Sequence, residues 1–331
     1  MRKRLAINEY VDGVLSQNRF ILSQAITLIE SQLATDNDLG MAIIENILPY
    51  TGNSIRIGIT GVPGVGKSTF IEFFGGLITG FGKKLAVLAI DPSSQRSGGS
   101  IMGDKTRMDI LSCDPLAYIR PSPAGTSLGG VTRRTRESML LCEAAGFEVI
   151  FIETVGVGQS ETSVAAMTDF FLLLMLAGAG DELQGIKKGI MEMADLVAIT
   201  KCDEGNEMKA TQAKINYQNA LMLFPAHEGN WYTPVLTCSA LQKHGLSEIW
   251  ETIAKYQNLT KENGFWQHKR QEQNLKWMHD TIKQQLEDRF YQNLAIKTKL
   301  QNIAAKVHHG EIHAVKAAFE LLAMYEQKYE I

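Results

Sequence analysis

Cysteine is scarce in this chain: four residues in 331, at positions 113, 142, 202 and 238, with no Cys-x-x-Cys pair among them. That scarcity leaves neither a disulfide framework nor a zinc-site spacing, and makes a reducing cytoplasm the expected compartment. An excess of one charge sign is also lacking, since 33 basic and 36 acidic side chains leave a formal charge of −3. A general nucleic-acid binder needs a stronger electrostatic footprint, so small ligands and protein surfaces are the expected partners. Long hydrophobic runs are missing too. The most apolar stretch, Phe170 to Leu176, is far shorter than the roughly 20 residues of a membrane span and reads as a buried strand. The basic start Met1-Arg2-Lys3-Arg4 leads into Asn8, Glu9 and Asp12 instead of an apolar core, so no secretion signal is expected.

What remains has the composition of a packed, enzyme-like domain, 45% hydrophobic and 21% charged, and is long enough for one core domain with appendages. Apolar residues at Leu15, Leu22, Ile26, Ile29 and Leu33 recur at helical spacing and predict an N-terminal helical segment over residues 1–50. Turn formers at Pro49 to Asn53 close it. A central domain is expected over 51–252, where short apolar runs (Ile55 to Thr60, Leu85 to Ile90, Val149 to Ile152, Phe170 to Leu176, Leu196 to Thr200, Val235 to Thr237) alternate with helical stretches. Runs apolar on both faces predict an α/β fold, a mostly parallel sheet with helices on both faces and ligands at the carboxyl ends of its strands. Beyond Leu246 the composition shifts to Lys, Gln and Glu. Helical registers at Leu275, Met278, Ile282, Leu286 and Phe290, and again over Ala314 to Met324, predict a C-terminal helical arm over 253–331.

The chemistry is carried by Gly61-Val62-Pro63-Gly64-Val65-Gly66-Lys67-Ser68-Thr69, which fits the phosphate-loop pattern at a strand-to-helix turn and makes the fold a P-loop NTPase. Glycines let backbone amides cradle phosphate, Lys67 reaches the β- and γ-phosphates, and the Ser68 hydroxyl suits Mg²⁺. Thr200-Lys201-Cys202-Asp203 resembles the Asn-Lys-x-Asp guanine motif with Thr in the Asn place. There Asp203 can accept from guanine N1 and N2, and the Lys201 stem can cover the ring; the missing Asn removes one bracing amide. Ser239-Ala240-Leu241 looks like the element that packs against the base. Glu153-Thr154-Val155-Gly156 matches an Asp-x-x-Gly switch with Glu in the Asp place: Glu153 can hold a water on Mg²⁺ and Gly156 can offer its amide to the γ-phosphate. Val157 stands where Ras-like enzymes carry Gln, so no residue is assigned to position water.

Asp91, at the end of a strand, reads as an Mg²⁺ or water ligand or else as a turn cap; Asp104 reads as a second such ligand or as an exposed loop residue. Arg107 and the Arg133 to Arg136 cluster can neutralise phosphate, but a solvated helix face is the ordinary fate of such charges and is expected here. Gly178 to Gly185, with Asp181, Gln184 and the neighbouring Lys188, is a candidate third switch. A partner could order it beside the γ-phosphate, with Lys188 in a catalytic role.

Taken together, Gly61 to Thr69, Leu88 to Ser94, Gly103 to Met108, Glu153 to Ser160 and Asp181 to Gly185 resemble the MeaB/ArgK/MMAA family of GTPases, over about residues 45 to 250. The resemblance implies a homodimeric, Mg²⁺-dependent GTPase cycling between GTP and GDP. It also implies a chaperone role toward an adenosylcobalamin-dependent acyl-CoA mutase, usually methylmalonyl-CoA mutase, gating cofactor loading and protecting the enzyme; whether an adenosyltransferase also docks is left open. Two other classes remain as alternatives. A nickel- or cobalt-delivery GTPase would need a metal-holding segment, and the sequence offers only His308, His309 and His313 on the arm. A P-loop kinase would need an acceptor pocket and a catalytic-base loop, and no segment resembles one.

Overall fold

The computed structural model describes residues 4–31, 33–91, 108–123, 128–154, 160–178, 188–203, 205–226 and 228–326, with backbone alone at 91, 122, 123, 128–132, 160 and 188. It divides into two compact units, one ending at Gln273 and the other starting at Asn274.

The first unit opens with three helices, α1 (Ile7–Leu15), α2 (Arg19–Glu30) and α3 (Ala34–Ile47). The single amphipathic face expected across this stretch is interrupted because Gln17 adopts a left-handed φ of 63° and Asn18 caps α2, accepting from the Phe20 and Ile21 amides at 3.0 and 3.2 Å. Leu22, Ile26 and Ile29 are buried on α2, whereas Leu33 is exposed just ahead of α3. Strands and helices then alternate as β1 (Ile55–Gly61), α4 (Lys67–Gly80), β2 (Leu85–Asp91), α5 (Asp109–Cys113), β3 (Ala117–Pro123), α6 (Leu128–Ala144), β4 (Val149–Thr154), α7 (Ser160–Ala165), β5 (Phe170–Leu176), α8 (Lys188–Met193), β6 (Leu196–Thr200), α9 (Glu207–Leu221), β7 (Val235–Thr237) and α10 (Leu246–Glu262). Helix α11 (Phe265–Gln292) begins in this unit and runs into the second.

The strands form one sheet in the order β3-β2-β4-β1-β5-β6-β7, and every pairing is parallel. Leu172 and Leu174 of β5 enter one apolar core and Leu173 and Met175 the other, the period of two that a sheet buried on both faces requires. The P-loop NTPase architecture expected from the sequence is thus observed. Strand β3 was not foreseen: Ala117–Pro123 is polar and carries Pro121 and Pro123, which an edge strand tolerates and a central one does not. Helix α4 lies on the sheet through Phe70, Ile71, Phe74 and Ile78, all buried, with the Phe74 ring stacked on Phe151 of β4 at 5.5 Å. Each such side chain contributes roughly 1.5–3 kcal/mol by leaving water.

The second unit contains the remainder of α11, α12 (Leu294–His308) and α13 (Ala314–Glu326). Its core is Ile296, Ile303, Ala317 and Leu321, with Phe290 and Tyr325 packed against it. Asn293 caps α12 through the Ala295 and Ile296 amides at 2.9 and 3.4 Å, a helix absent from the sequence reading.

At the amino ends of the central strands, burial forces charges to pair. Arg56 of β1 donates to both oxygens of Glu143 at 2.8 and 3.0 Å. Asp169, just ahead of β5, accepts the Arg56 amide at 2.8 Å and a two-pronged Arg270 at 2.7 Å on each oxygen. Arg270 also donates to the carbonyls of Gly52 and Ser54 at 2.6 and 2.7 Å and lies over the Trp266 ring at 4.9 Å. Five contacts from one side chain make the first turns of α11 part of the sheet's support. Replacing Arg270 with Ala leaves Asp169 buried without its counter-charge, so we expect a loss of roughly 3–5 kcal/mol in unfolding free energy. Chemical denaturation of parent and variant measures it; a loss under about 1 kcal/mol, the value of an ordinary surface pair, contradicts this role.

Candidate nucleotide-binding site

Strand β1 is the middle of the sheet, flanked by β4 and β5, and the chain beyond its carboxyl end turns directly into α4. A Cβ on Gly61 would sit 2.6 Å from the carbonyl oxygen of Leu174, so only glycine allows the loop to leave the strand this close to β5. Gly66, the residue before α4, holds a φ of 87°, and no side chain caps the helix. The first amides of α4 therefore face outward uncapped, together with the positive end of the helix dipole, which is the arrangement that takes an anion.

Lys67 Nζ reaches back to donate to the Gly61 carbonyl at 2.8 Å. Burial pulls its pKa below the ordinary lysine value, and the carboxylates of Glu153 and Glu161 push the other way. Both carboxylates are buried, Glu153 at the end of β4 and Glu161 in the first turn of α7. Register explains the placement of Glu153, which pairs with Ile59 of β1 on one side and Ala89 of β2 on the other. Thr154 Oγ1 and Thr60 Oγ1 lie 2.8 Å apart and tie the two strand ends together. Asp91 is the last residue of β2, two beyond Ala89, so its backbone reaches the same edge of the sheet. Ser68, half-buried, and exposed Thr69 follow Lys67 in the first turn of α4. Glu161 was not singled out in the sequence; nothing in its local pattern distinguishes it from an ordinary helix-start acid.

The other end of the site is built from β6 and β7. Thr200 closes β6 and its hydroxyl lies 2.9 Å from the Val65 carbonyl of the phosphate loop and 3.2 Å from that of Met175. Thr200, in the Asn place of the motif, thus reaches the loop backbone through its shorter hydroxyl. Lys201, at a left-handed φ of 56°, lays its side chain over the loop and donates to the Gly64 carbonyl at 2.8 Å. Asp203 accepts from the hydroxyl of buried Ser239, which itself accepts the Gln242 amide at 3.2 Å. Ser239 thus orients the carboxylate, beyond the packing role read from sequence. Backbone bonds from Cys202 N to the Cys238 carbonyl at 3.0 Å and from Asn206 N to the Asp203 carbonyl at 2.9 Å fix both loops to one another and to α9. Ala240 is half-buried beside them and Leu241 is 69% exposed.

Asp104, Arg107, Gly156, Val157, Asp181 and Gln184 lie outside the described residues, as do the side chains of Asp91 and Lys188. The arginine cluster does not form a solvated face. Arg136 is buried and donates to the Ala166 carbonyl at 3.1 Å, and Arg133 pairs with Glu137 at 2.8 Å, because α6 packs against the N-terminal helices and α7.

The profile of a protein family described as methylmalonyl-CoA mutase-associated GTPase MeaB matches residues 22–295. The GTPase ArgK of Escherichia coli is 47% identical over 293 residues, 88% of either chain. The mitochondrial methylmalonic aciduria type A homolog of Mus musculus is 41% identical over 333 residues, 98% of this chain and 80% of that one. Among solved structures, a protein called LAO/AO transport system kinase superposes with a TM-score of 0.76 at 36% identity, covering 98% of this chain and 99% of its own. No helix among the described residues is long and apolar enough to cross a membrane. A phosphate-binding loop on the central strand, a guanine-type motif hydrogen-bonded to it and matches of this extent place the chain in the MeaB family of GTPases, enzymes that hydrolyse GTP to GDP and phosphate.

Proposed function

We propose that this GTPase acts as a chaperone of an adenosylcobalamin-dependent acyl-CoA mutase of the methylmalonyl-CoA type, gating cofactor loading and protecting the loaded enzyme. The observation that carries the reading is the family match across residues 22–295, which takes in the phosphate loop, the base motif and the root of the helical arm. An adenosyltransferase is a further candidate partner on the same reading.

In the proposed reaction the uncapped start of α4 and Lys67 bind the phosphates of GTP. Lys67 exchanges the Gly61 carbonyl for phosphate oxygens, and its partial burial strengthens that contact by reducing screening. Gly61, Val62, Pro63, Gly64, Val65, Gly66, Ser68 and Thr69 form the cradle, and Gly156 offers its amide to the γ-phosphate. Asp203 reads guanine, Lys201 and Leu241 cover its faces, and Ser239 and Ala240 hold the loop behind it. The donors near Lys67 are oxygens: the Ser68 hydroxyl and the buried Glu153 carboxylate, which suits Mg²⁺, an ion that takes few protein ligands and shares its shell with phosphate and water. Ser68, Glu153, Asp91 and Asp104 would hold it, and when bound it neutralises charge on the transferring phosphoryl group. Lys188, at the start of α8, is assigned to the coupling segment that a mutase partner orders, since Val157 leaves no intrinsic Gln in the Ras position.

The arm offers a homodimer surface. Leu275, Met278, Ile282 and Leu286 follow one another at helical spacing on α11 and are 49–57% exposed, an apolar stripe of the kind a second helix covers.

Four outcomes are expected. Lys67→Ala should bring GTP turnover to background, and Asp203→Asn should weaken GTP at least tenfold while improving xanthosine triphosphate, since each charged hydrogen bond lost is worth roughly 1.5–3 kcal/mol. Calorimetric titration with both nucleotides decides this; unchanged GTP affinity in the Asp203 variant rejects it as the base reader. A cognate mutase should raise the GTPase rate of the parent more than that of Lys188→Ala or Gln184→Ala, and equal acceleration of all three removes the coupling role from this segment. Finally, Ile282→Glu with Leu286→Glu should shift the mass measured by light scattering from dimer to monomer; a parent that is already monomeric refutes the arm as a dimer surface.

A further inference from the structure

Asparagine is among the strongest helix N-caps, because its side-chain oxygen accepts from the amides of the first turn. Asn206 stands at the N-cap position of α9, three residues after Asp203, and makes no such bond among the described residues. Its side chain turns the other way: Nδ2 donates to the carbonyl of Lys201 at 2.7 Å, five residues back. Its backbone amide points back as well, donating to the Asp203 carbonyl at 2.9 Å, while its carbonyl accepts the first bond of α9 from the Ala210 amide at 2.9 Å. Asn206 therefore ties the helix to the base motif at the carbonyls on both sides of Cys202.

The carbonyl that Asn206 takes belongs to a strained residue. Lys201 holds a left-handed φ of 56°, a region that costs free energy for any residue bearing a Cβ. In that conformation its stem passes the phosphate loop, where a Cβ on Gly66 would lie 3.9 Å from Lys201 Cε, and its ammonium reaches the Gly64 carbonyl at 2.8 Å. The peptide that follows Lys201 is gripped on both edges. Asn206 holds its carbonyl, and its amide, that of buried Cys202, donates to the Cys238 carbonyl at 3.0 Å. Carbonyl and amide lie in one plane, so two opposed bonds fix its rotation. Asp203 follows Cys202, and Ser239, whose hydroxyl orients the Asp203 carboxylate, follows Cys238. Strain at Lys201 persists because its surroundings over-determine it, and the Asn206 amide group is one of the bonds that do so.

We propose that Asn206 is a positioning residue for guanine recognition: its side chain forgoes the cap of α9 to hold Lys201 left-handed, and by fixing that peptide it aims both the Lys201 stem and the Asp203 carboxylate. The proposal rests on the reading of Lys201 and Asp203 as the base-recognition pair, and deepens it. Asn206 touches no nucleotide in this scheme. Its removal should therefore erode discrimination between guanine and hypoxanthine, the base that lacks the 2-amino group Asp203 is proposed to bind, more than it weakens the hold on phosphate.

The experiment compares the full-length parent with Asn206→Ala, Asn206→Asp and Asp203→Asn by calorimetric titration with GDP and with inosine diphosphate, and by thermal unfolding. Asn206→Ala should bind GDP about fivefold more weakly, the worth of roughly one hydrogen bond, and inosine diphosphate with little change, so that the preference for GDP shrinks. Asn206→Asp is the stricter case. It has the same size, is itself a good N-cap and places negative charge at the helix start, but offers no donor to the Lys201 carbonyl. It should melt no lower than Asn206→Ala and yet lose the preference for GDP to the same extent. A merely structural role predicts the reverse, since a better cap would then restore binding. The added charge acts on phosphate and weakens both nucleotides alike, which leaves their ratio as the readout. The proposal is overturned if either Asn206 variant, folded, keeps the parental preference for GDP, or if both nucleotides weaken equally. If Asp203→Asn also keeps the parental preference, the base-recognition reading itself falls. Loss of preference in Asp203→Asn with none in the Asn206 variants removes only the role proposed for Asn206.

Discussion

The contact on which the rest of the structure depends is the approach of Gly61 to the backbone of β5. A strand buried between β4 and β5 has no lateral freedom, and at its carboxyl end the chain must turn while still in van der Waals contact with Leu174. Once that turn is fixed, α4 can start in only one place. The stacking of Phe74 on Phe151 then holds the helix down on the sheet, and Lys67 at its start feels the charge of Glu153, buried at the end of β4. The nucleotide site is thus a consequence of close packing, with few polar residues added.

Charge is arranged oppositely at the two ends of the sheet. At the amino ends, Arg56 with Glu143 and Arg270 with Asp169 satisfy one another so fully that those groups have little capacity for a ligand. At the carboxyl ends, the Lys67 ammonium donates to a backbone carbonyl among the described residues while buried carboxylates act on it from β4 and α7, and its pKa is lowered by burial. The first arrangement stabilises the fold; the second holds a cation ready for a stronger anion. Burial of a charge has opposite meanings at the two ends because only one end supplies a complete set of partners.

Much of this was legible beforehand, for identifiable reasons. Six of the seven strands announce themselves as short apolar runs, and the phosphate loop and guanine-type motif depend on residue types at fixed local spacing. What escaped depends on partners distant in sequence. Strand β3 exists because β2 offers an edge, and Arg136 is buried because α6 packs against other helices. The bond from Ser239 to Asp203 joins positions 36 apart, and that from Thr200 to Val65 spans 135. The cap on α5 is of the same kind: Met108 reads as a poor helix start because the group that completes it, Glu72, lies on α4.

Thr200 shows what such long-range bonds do for function. Its hydroxyl and the Lys201 ammonium both end on carbonyls of the phosphate loop, at Val65 and Gly64, while Asp203 in the same short stretch is oriented by Ser239. The segment proposed to read the base and the loop proposed to take the phosphates are therefore joined by hydrogen bonds, though they lie far apart in sequence. Carbonyls of the loop are occupied by these donors, and the Val65 amide is spent within the loop on the Val62 carbonyl at 3.2 Å, so the uncapped start of α4 is the part left to meet an anion. In the proposed reaction, guanine recognition and phosphate binding then share a single cost of ordering, since fixing either segment fixes the other. A substitution that keeps Asp203 but removes the Thr200 hydroxyl breaks one of these ties, so the residue in the Asn place of the motif matters to the loop through its hydroxyl.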